Sequence, residues 1–264
     1  MPLRQQMPAL WWFIEGRVAG MGRPGFNRYR GSDLSLEEAI VFSWLGKLSD
    51  TAPALSHFWQ FLDDYGPKIA PFHEPSTPPI TDRLARLRER APLLDVLERL
   101  SAKIHVFENV SWHDEGPEPH LRLTRNMRQL ETEIELLKRH RLSVLISLIE
   151  QPFDHGILSE HFTLHYLPIE DVSPPSPEQV YDLAEHLRSA LAAGQNVAVH
   201  CLAGVGRTTT MLITAHLVLG HTLHDLKAWI RRCNPHFLFR GSQAAFIDDF
   251  AQALDNGHLP ILRA

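Results

Sequence analysis

Two kinds of hydrophobic pattern alternate along this 264-residue chain: short runs that are apolar almost throughout, and longer segments with apolar residues at helical spacing. The runs 141–150 (RLSVLISLIE) and 196–200 (NVAVH) are typical of strands buried on both faces. Residues 162–167 form a third short run, and 9–25 predict one or two strands that turn at Glu15-Gly16. Together these segments predict the strands of one central sheet.

Segments with helical spacing separate the predicted strands. The clearest of them begins with Ser176, Pro177 and Gln179, because a serine N-cap, a proline in the first turn and a glutamine three residues after the cap favour a helix start. The predicted helices of this part of the chain cover 124–140, 177–193, 208–219, 222–233 and 242–254. Since strands and helices alternate, we predict an α/β fold with a central, mostly parallel sheet flanked by helices.

A long stretch, 27–123, does not follow this alternation. It contains three segments with helical spacing, a proline-rich segment that predicts a linker, and one short strand candidate. Their ranges are 35–47, 54–65 and 82–100 for the helices, 67–79 for the linker and 104–110 for the strand. Pro92 is expected to break or kink the third helix. We therefore expect a single domain, 1–264, whose core is about 9–26 and 124–255, with 27–123 as a mainly helical insertion or cap.

Composition excludes several classes of protein. With 44% hydrophobic and 22% charged residues the chain has the balance of a soluble globular protein, and no membrane span is expected. The formal net charge of −5 offers no basic field to nucleic acid. The two cysteines, Cys201 and Cys233, form neither a disulfide framework nor a zinc ligand set, so we expect a reduced, cytoplasmic setting.

The apolar run 196–200 leads into a segment with chemistry of its own, VHCLAGVGRT at 199–208. A strand, a glycine-containing loop and a helix N-terminus aim backbone N–H groups and partial positive charge at one point, which makes an anion site suited to phosphate. That field favours the thiolate of Cys201. Arg207 can place its planar guanidinium on two phosphate oxygens. The sequence thus predicts a phosphate site that contains a nucleophile.

The pattern His-Cys-x5-Arg-Thr at 200–208 resembles the signature loop of the cysteine-dependent protein tyrosine phosphatases. With the helix that follows (VHCLAGVGRTTTMLITAHLV), it is most similar to the small, atypical dual-specificity phosphatases. The resemblance implies a protein tyrosine phosphatase-like fold and a phosphomonoesterase that forms a cysteinyl-phosphate intermediate. It also implies a set of phosphate-binding residues, namely Leu202, Ala203, Gly204, Val205, Gly206 and Arg207.

Four residues of this segment receive catalytic roles on that basis. Cys201 is the expected nucleophile, and Arg207 binds the phosphate oxygens as charge redistributes in the transition state. His200 is expected to orient the loop and to tune Cys201 through hydrogen bonds, although a satisfied core histidine explains it equally well. Thr208 is expected to hydrogen-bond the cysteine sulfur and help it leave, or to start the helix, and the two roles are compatible.

The leaving oxygen needs a proton, so a carboxylic acid must face the nucleophile. The segment IEDVSPPSPEQV (169–180) resembles the general-acid loop of the small dual-specificity enzymes, and it indicates Asp171 as the acid, with the neighbouring Glu170 as the rival. Gln243 lies where such enzymes often carry a glutamine that positions water; the alternative is a surface residue at a helix start.

The expected substrate is a phosphorylated protein or a small phosphomonoester, since the loop residues Leu202, Ala203 and Val205 carry no charge that would favour multiply phosphorylated inositol lipids. Alternatives left open are a phosphatase of a non-protein substrate (inositol phosphate, phosphoinositide or RNA 5′ phosphate) and a phosphate-binding scaffold without turnover. No metal and no cofactor are expected, because Arg207 and the loop amides supply the positive charge. The stretch 27–123 is a candidate partner surface, and a redox role for Cys233 stays open.

Overall fold

The computed structural model describes residues 10–26, 34–48, 53–69, 78–104, 107–151, 154–237 and 239–262. The described residues divide into two compact units. One consists of 25–131, and the other of 10–24 together with 132–262. The candidate signature loop and the candidate acid both belong to the second unit.

The described residues form strands and helices that are numbered separately in chain order. The strands are Trp11–Ile14 (β1), Val18–Met21 (β2), Phe107–His113 (β3), His120–Arg125 (β4), Leu142–Ser147 (β5), Thr163–Tyr166 (β6) and Asn196–His200 (β7). The helices are Leu36–Leu45 (α1), Leu55–Ile69 (α2), Ile80–Arg86 (α3), Arg90–Ile104 (α4), Met127–Arg139 (α5), His155–Ser159 (α6), Pro177–Ala192 (α7), Gly206–Val218 (α8), Leu223–Cys233 (α9) and Gly241–Asp255 (α10).

The second unit is built on a five-stranded sheet with the order β1-β2-β7-β5-β6. β1 and β2 form the predicted hairpin and pair antiparallel, whereas all the other neighbours pair parallel. The central strands β7 and β5 are buried nearly throughout, as their continuous apolar runs predicted. The expected α/β class with a mostly parallel, helix-flanked sheet is therefore confirmed, and the carboxyl ends of β7 and β5 lie at one edge.

Helix α8 is the centre of the core of this unit. Every residue from Arg207 to Val218 is buried, and the helix packs against α7 and α10. A helix that is apolar or tightly packed on all faces must lie inside the fold, and its N-terminus at Gly206 follows the loop at the carboxyl end of β7. The predicted capping box of α7 is confirmed, since the Ser176 hydroxyl accepts from the Gln179 N–H and the Gln179 side chain accepts from the Ser176 N–H.

The first unit contains α1 to α4 and an antiparallel β3–β4 hairpin. The hairpin corrects two predictions: 120–125 is a strand although the predicted helix was to begin at 124, and the strand candidate at 104–110 begins only at Phe107. In HLRLTR the leucines Leu121 and Leu123 are buried and alternate with exposed residues, which is the period of a strand that has found a partner.

Two prolines of the first unit, Pro67 and Pro92, do not end or break helices where the sequence predicted. Pro67 lies inside α2, so the helix extends to Ile69 and the predicted linker cannot begin at 67; residues 70–77 of that linker are outside the described residues. Pro92 lies in the first turn of α4, where its missing N–H costs nothing. The break that it was expected to cause falls instead at 87–89, between α3 and α4.

A buried histidine gives the second unit a pH-dependent stability. His216 of α8 is 3% exposed, and burial lowers its pKa to about 4. The unfolded chain binds a proton near pH 6.5 and the folded chain only near pH 4, so the contribution of His216 is complete above pH 6.5 and is lost as the pH falls toward 4. We expect His216→Gln to reduce the slope of unfolding free energy against pH in this window by up to about 1.4 kcal/mol per pH unit. Denaturant unfolding at several pH values measures the slope, and equal slopes in the two proteins would contradict the prediction.

Candidate active site

The candidate nucleophile lies where the sequence placed it, at the carboxyl end of β7. β7 ends at His200, Cys201 follows and is almost fully buried, and α8 begins at Gly206. Gly204 has φ = +71°, and a Cβ on it would lie 2.4 Å from the carbonyl carbon of Met21. A residue with a side chain would be both strained and excluded at this position. The glycine therefore permits the loop to turn closely over the end of β2.

Arg207 occupies the first turn of α8 and links the signature loop to two neighbouring segments. Its Nη1 donates to Glu150 Oε2 at 2.8 Å and to the Ile169 carbonyl at 2.8 Å, and its Nη2 lies 3.1 Å from Asp171 Oδ1. Burial tends to lower the pKa of Arg207, but electrostatic interactions with Asp171, Cys201 and Glu150 raise it above its ordinary value. The guanidinium therefore remains charged in a buried position, which is the requirement for holding phosphate oxygens.

Asp171, in the loop between β6 and α7, is the second carboxylate that meets Arg207, beside Glu150. Its backbone N–H donates to Glu150 Oε1 at 3.1 Å, so Glu150 holds both Arg207 and the loop 167–176 that carries Asp171, here called the acid loop. Glu170 is exposed, and its carboxylate accepts from the Ser173 hydroxyl at 3.3 Å. The geometry therefore favours Asp171 over its rival as the candidate acid.

Glu150 is a site residue that the sequence interpretation missed. It was included as the last letter of the apolar run 141–150, whereas β5 ends at Ser147. The signal was its position just beyond the carboxyl end of a central parallel strand, where such sheets gather functional side chains. Without the order of the strands, nothing in the sequence connects Glu150 with Arg207, 57 residues further on.

The acid loop is held in a strained conformation by the beginning of α10. Val172 has φ = +58°, which is unfavourable for a β-branched residue and costs on the order of 1–3 kcal/mol. The Ser242 hydroxyl donates to the Val172 carbonyl at 3.0 Å, and Gln243 Nε2 donates to the Ser173 carbonyl at 3.0 Å. These contacts offset the strain and hold Asp171 beside Arg207.

Gln243 is buried, so the alternative of a surface residue at a helix start is wrong. Its packing explains the difference: a Cβ placed on Gly206 would lie 2.7 Å from Gln243 Oε1. Gln243 therefore touches the start of α8 on one side and the acid loop on the other. Its role in positioning water remains a prediction.

His200 and Thr208 are both buried at the back of the loop. Burial lowers the pKa of His200 to about 4, so the imidazole is neutral at physiological pH and suits an orienting role better than proton exchange. The Thr208 hydroxyl and Arg207 Nε are buried and have no hydrogen-bond partner within the described ranges. Both groups are therefore available to a ligand in the loop.

The described part of the chain offers no group of three histidine, cysteine or acidic side chains that are placed to hold a metal ion. Among its helices, none has the length and apolar character needed to cross a membrane. The candidate site thus consists of a cysteine at the end of a parallel strand, an arginine at the start of a buried helix, and a carboxylate that a separate loop brings to that arginine.

This fold and site define a class of protein, an α/β protein with a Cys-x5-Arg loop at the carboxyl end of a parallel strand. Comparisons with known proteins show which families it is similar to. The family described as Tc-R-P, Polymorphic toxin system, DSP-PTPase phosphatase, matches residues 122–221. Dual specificity protein phosphatase CDC14C of Homo sapiens is 30% identical over 141 residues, which cover 50% of this chain and 30% of the relative. Protein tyrosine phosphatase type IVA 3 of Homo sapiens is 30% identical over 106 residues, 39% of this chain and 61% of the relative.

These similarities agree with the resemblance seen in the signature loop, and they support a cysteine-based phosphatase family of the dual-specificity type. The chain matches less than two thirds of the length of each of these relatives. Among solved structures, Tk-PTP in the active form is 21% identical with a TM-score of 0.42, and the likeness covers 46% of this chain and 86% of that chain. Human DUSP28 is 15% identical with a TM-score of 0.40, over 47% of this chain and 86% of that chain.

Proposed function

We propose that this chain is a phosphomonoesterase that hydrolyses phosphotyrosine, and phosphoserine or phosphothreonine, through a cysteinyl-phosphate intermediate. The observation that carries the proposal is the contact of Arg207 with Asp171, whose atoms Nη2 and Oδ1 lie 3.1 Å apart. Two segments that are far apart in the sequence bring a phosphate-binding cation and a candidate general acid to the end of the strand that presents Cys201. A protein that only bound phosphate would have no need of the carboxylate there.

In the proposed first step the Cys201 sulfur attacks phosphorus in line with the leaving oxygen. Asp171 gives its proton to that oxygen as the P–O bond breaks. In the second step a water attacks the cysteinyl phosphate, Asp171 accepts a proton from that water, and the P–S bond breaks to release inorganic phosphate and the thiolate. Arg207 and the loop N–H groups stabilise the negative charge of both transition states.

The buried donors around the loop support this scheme. Arg207 Nε and the Thr208 hydroxyl are buried without partners in the described residues, and such groups are costly unless a ligand satisfies them. A phosphate dianion would accept from Arg207 Nε, and the Thr208 hydroxyl would reach the cysteine sulfur as it leaves. Because the nucleophile is a thiolate, we place the protein in a reducing compartment, in agreement with the expected cytoplasmic setting.

The uncharged side chains Leu202, Ala203 and Val205 favour a substrate that carries a single phosphate group. The experiment is a substrate panel under reducing conditions with a chelator present: p-nitrophenyl phosphate, a phosphotyrosyl peptide, a phosphoseryl peptide, a phosphoinositide and a 5′-phosphorylated RNA. We expect hydrolysis of p-nitrophenyl phosphate and of the phosphotyrosyl peptide, and no effect of the chelator. A preference for the phosphoinositide or the RNA would establish the non-protein alternative. No hydrolysis of any substrate, with phosphate binding retained, would indicate a scaffold.

A further inference from the structure

One carbonyl of the signature loop is held by two side chains from outside the loop. The Gly204 oxygen accepts a hydrogen bond from Trp11 Nε1 at 3.0 Å and a longer one from Asn234 Nδ2 at 3.4 Å. Both contacts are buried and join residues that are far apart in the sequence. Neither side chain has a role in the reaction proposed above.

The direction of this carbonyl determines the direction of an amide. A peptide unit is planar and trans, so the Val205 N–H points opposite to the Gly204 carbonyl. The neighbouring Leu202 carbonyl is held in the same manner, because it accepts from the backbone N–H of Arg23 at 3.0 Å. A loop that binds phosphate with its N–H groups must turn its carbonyls away from the anion, and these outward carbonyls need donors of their own when they are buried.

Packing fixes Trp11 in its position. Trp11 pairs with Gly20 across β1 and β2, and a Cβ on Gly20 would lie 2.2 Å from the indole ring. The ring therefore occupies the space that any other residue at 20 would fill, and Trp11 is 6% exposed. The indole N–H projects from β1 and reaches the carbonyl of Gly204, which lies against Met21 at the end of β2.

Asn234 approaches the same carbonyl from the end of α9. It is 3% exposed, and its Nδ2 also donates to the Thr209 hydroxyl of α8 at 2.8 Å. Its backbone N–H donates to the Ile230 carbonyl and so closes the last turn of α9. Asn234 therefore connects the loop, α8 and α9 through one buried amide.

We propose that Trp11 and Asn234 are positioning residues that orient the Gly204–Val205 peptide so that the Val205 N–H faces the phosphate. The inference rests on the proposed function, because it assumes that the loop binds a phosphoryl group. Trp11 and Asn234 hold the Val205 N–H in the orientation that the transition state requires. Loss of either donor therefore weakens transition-state binding more than it lowers the stability of the fold.

The test compares two tryptophan variants that each lose one indole-to-carbonyl hydrogen bond. Trp11→Phe removes the donor to Gly204 and keeps an aromatic ring over Gly20. The matched control is Trp229→Phe, which removes the hydrogen bond from Trp229 Nε1 to the Phe13 carbonyl (2.7 Å). Both hydrogen bonds involve a residue of β1, but only the bond made by Trp11 reaches the signature loop. Asn234→Ala removes the second donor and gives an independent measurement if Trp11→Phe does not fold.

We expect Trp11→Phe to weaken inhibition by orthovanadate, a mimic of the pentacoordinate phosphoryl group, by about tenfold and to lower kcat/KM for p-nitrophenyl phosphate similarly. Asn234→Ala should act in the same direction, and Trp229→Phe should stay within about twofold of the wild type while its melting temperature falls. Equal kinetics in Trp11→Phe and Trp229→Phe, or an effect of Trp11→Phe on melting temperature alone, would overturn the inference.

Titration calorimetry with phosphate and vanadate separates this inference from the proposed function. A wild type that binds these anions without turnover contradicts the proposed enzyme activity, whereas unweakened binding by Trp11→Phe contradicts the positioning role.

Discussion

Replacing Cys201 with serine is expected to lower the turnover of p-nitrophenyl phosphate by about 10³-fold or more while leaving phosphate binding intact. A serine hydroxyl is a weak nucleophile at neutral pH unless a base activates it. The neighbouring His200 is buried and neutral, and its Nδ1 has no hydrogen-bond partner among the described residues. The loop amides and Arg207, which are proposed to bind the phosphate, are unchanged. Steady-state kinetics and titration calorimetry with inorganic phosphate measure the two halves of the prediction.

Cys233 provides the control for this experiment. It is half-buried on α9, burial raises its pKa, and its thiol donates to the Trp229 carbonyl at 3.4 Å. Such a thiol is a poor nucleophile, so Cys233→Ser should retain full turnover. If Cys201→Ser kept more than a small fraction of the wild-type rate, or if Cys233→Ser lost it, the nucleophile would be misassigned. The inactive Cys201→Ser protein is also suited to retaining the physiological substrate for identification.

The parts of the site that the sequence revealed are those whose cause is local. The run 196–200 is a buried strand because its residues are apolar in succession, and the turn into α8 follows from glycines and a helix start within a few positions. The capping box of Ser176 and Gln179 likewise depends on four consecutive residues. Each of these elements appears in the structure within a residue or two of its predicted bounds.

The parts that the sequence did not reveal depend on which segments meet in space. Glu150 becomes a partner of Arg207 only because β5 lies beside β7, and Gln243 is buried only because α10 packs on α8 and reaches the acid loop. Trp11 looked like an ordinary strand residue, since the indole contact with Gly204 spans 193 positions. In the first unit, 120–125 is a strand because it pairs with β3, which overrode the helical interpretation of its final residues.

If the proposed function is correct, the contact between Arg207 and Asp171 is a resting state that substrate binding has to change. Arg207 Nη2 faces the Asp171 carboxylate, an anionic oxygen partner of the kind that a phosphoryl group would also offer to this donor. In the proposed reaction a bound phosphoryl group would compete for the same donor, so the acid loop would have to release Asp171 toward the leaving oxygen. The strain at Val172, with φ = +58°, lowers the cost of leaving this conformation. Binding of the phosphate and positioning of the acid are thereby coupled through one guanidinium.

Asp171→Asn is expected to lower kcat for a phosphotyrosyl or phosphoseryl peptide by about 10²–10⁴-fold, because the leaving oxygen then receives no proton. The loss on p-nitrophenyl phosphate should be smaller, since p-nitrophenolate leaves readily as an anion. The coupling described above predicts a second effect of opposite sign: binding of inorganic phosphate should tighten, because Arg207 Nη2 no longer faces a charged competitor, while Glu150 still holds Nη1. Kinetics on the two classes of substrate and calorimetry with phosphate measure these effects.

The matched variant is Glu170→Gln, which changes the adjacent carboxylate. Glu170 is exposed and its carboxylate accepts from Ser173, so this variant should keep turnover within about threefold of the wild type. If Glu170→Gln abolished turnover of the peptide substrates and Asp171→Asn left it unchanged, Glu170 would be the acid. If Asp171→Asn lowered kcat equally for good and poor leaving groups, Asp171 would act by holding Arg207 rather than by donating a proton. The dependence on the leaving group therefore decides between a catalytic acid and a structural ion pair.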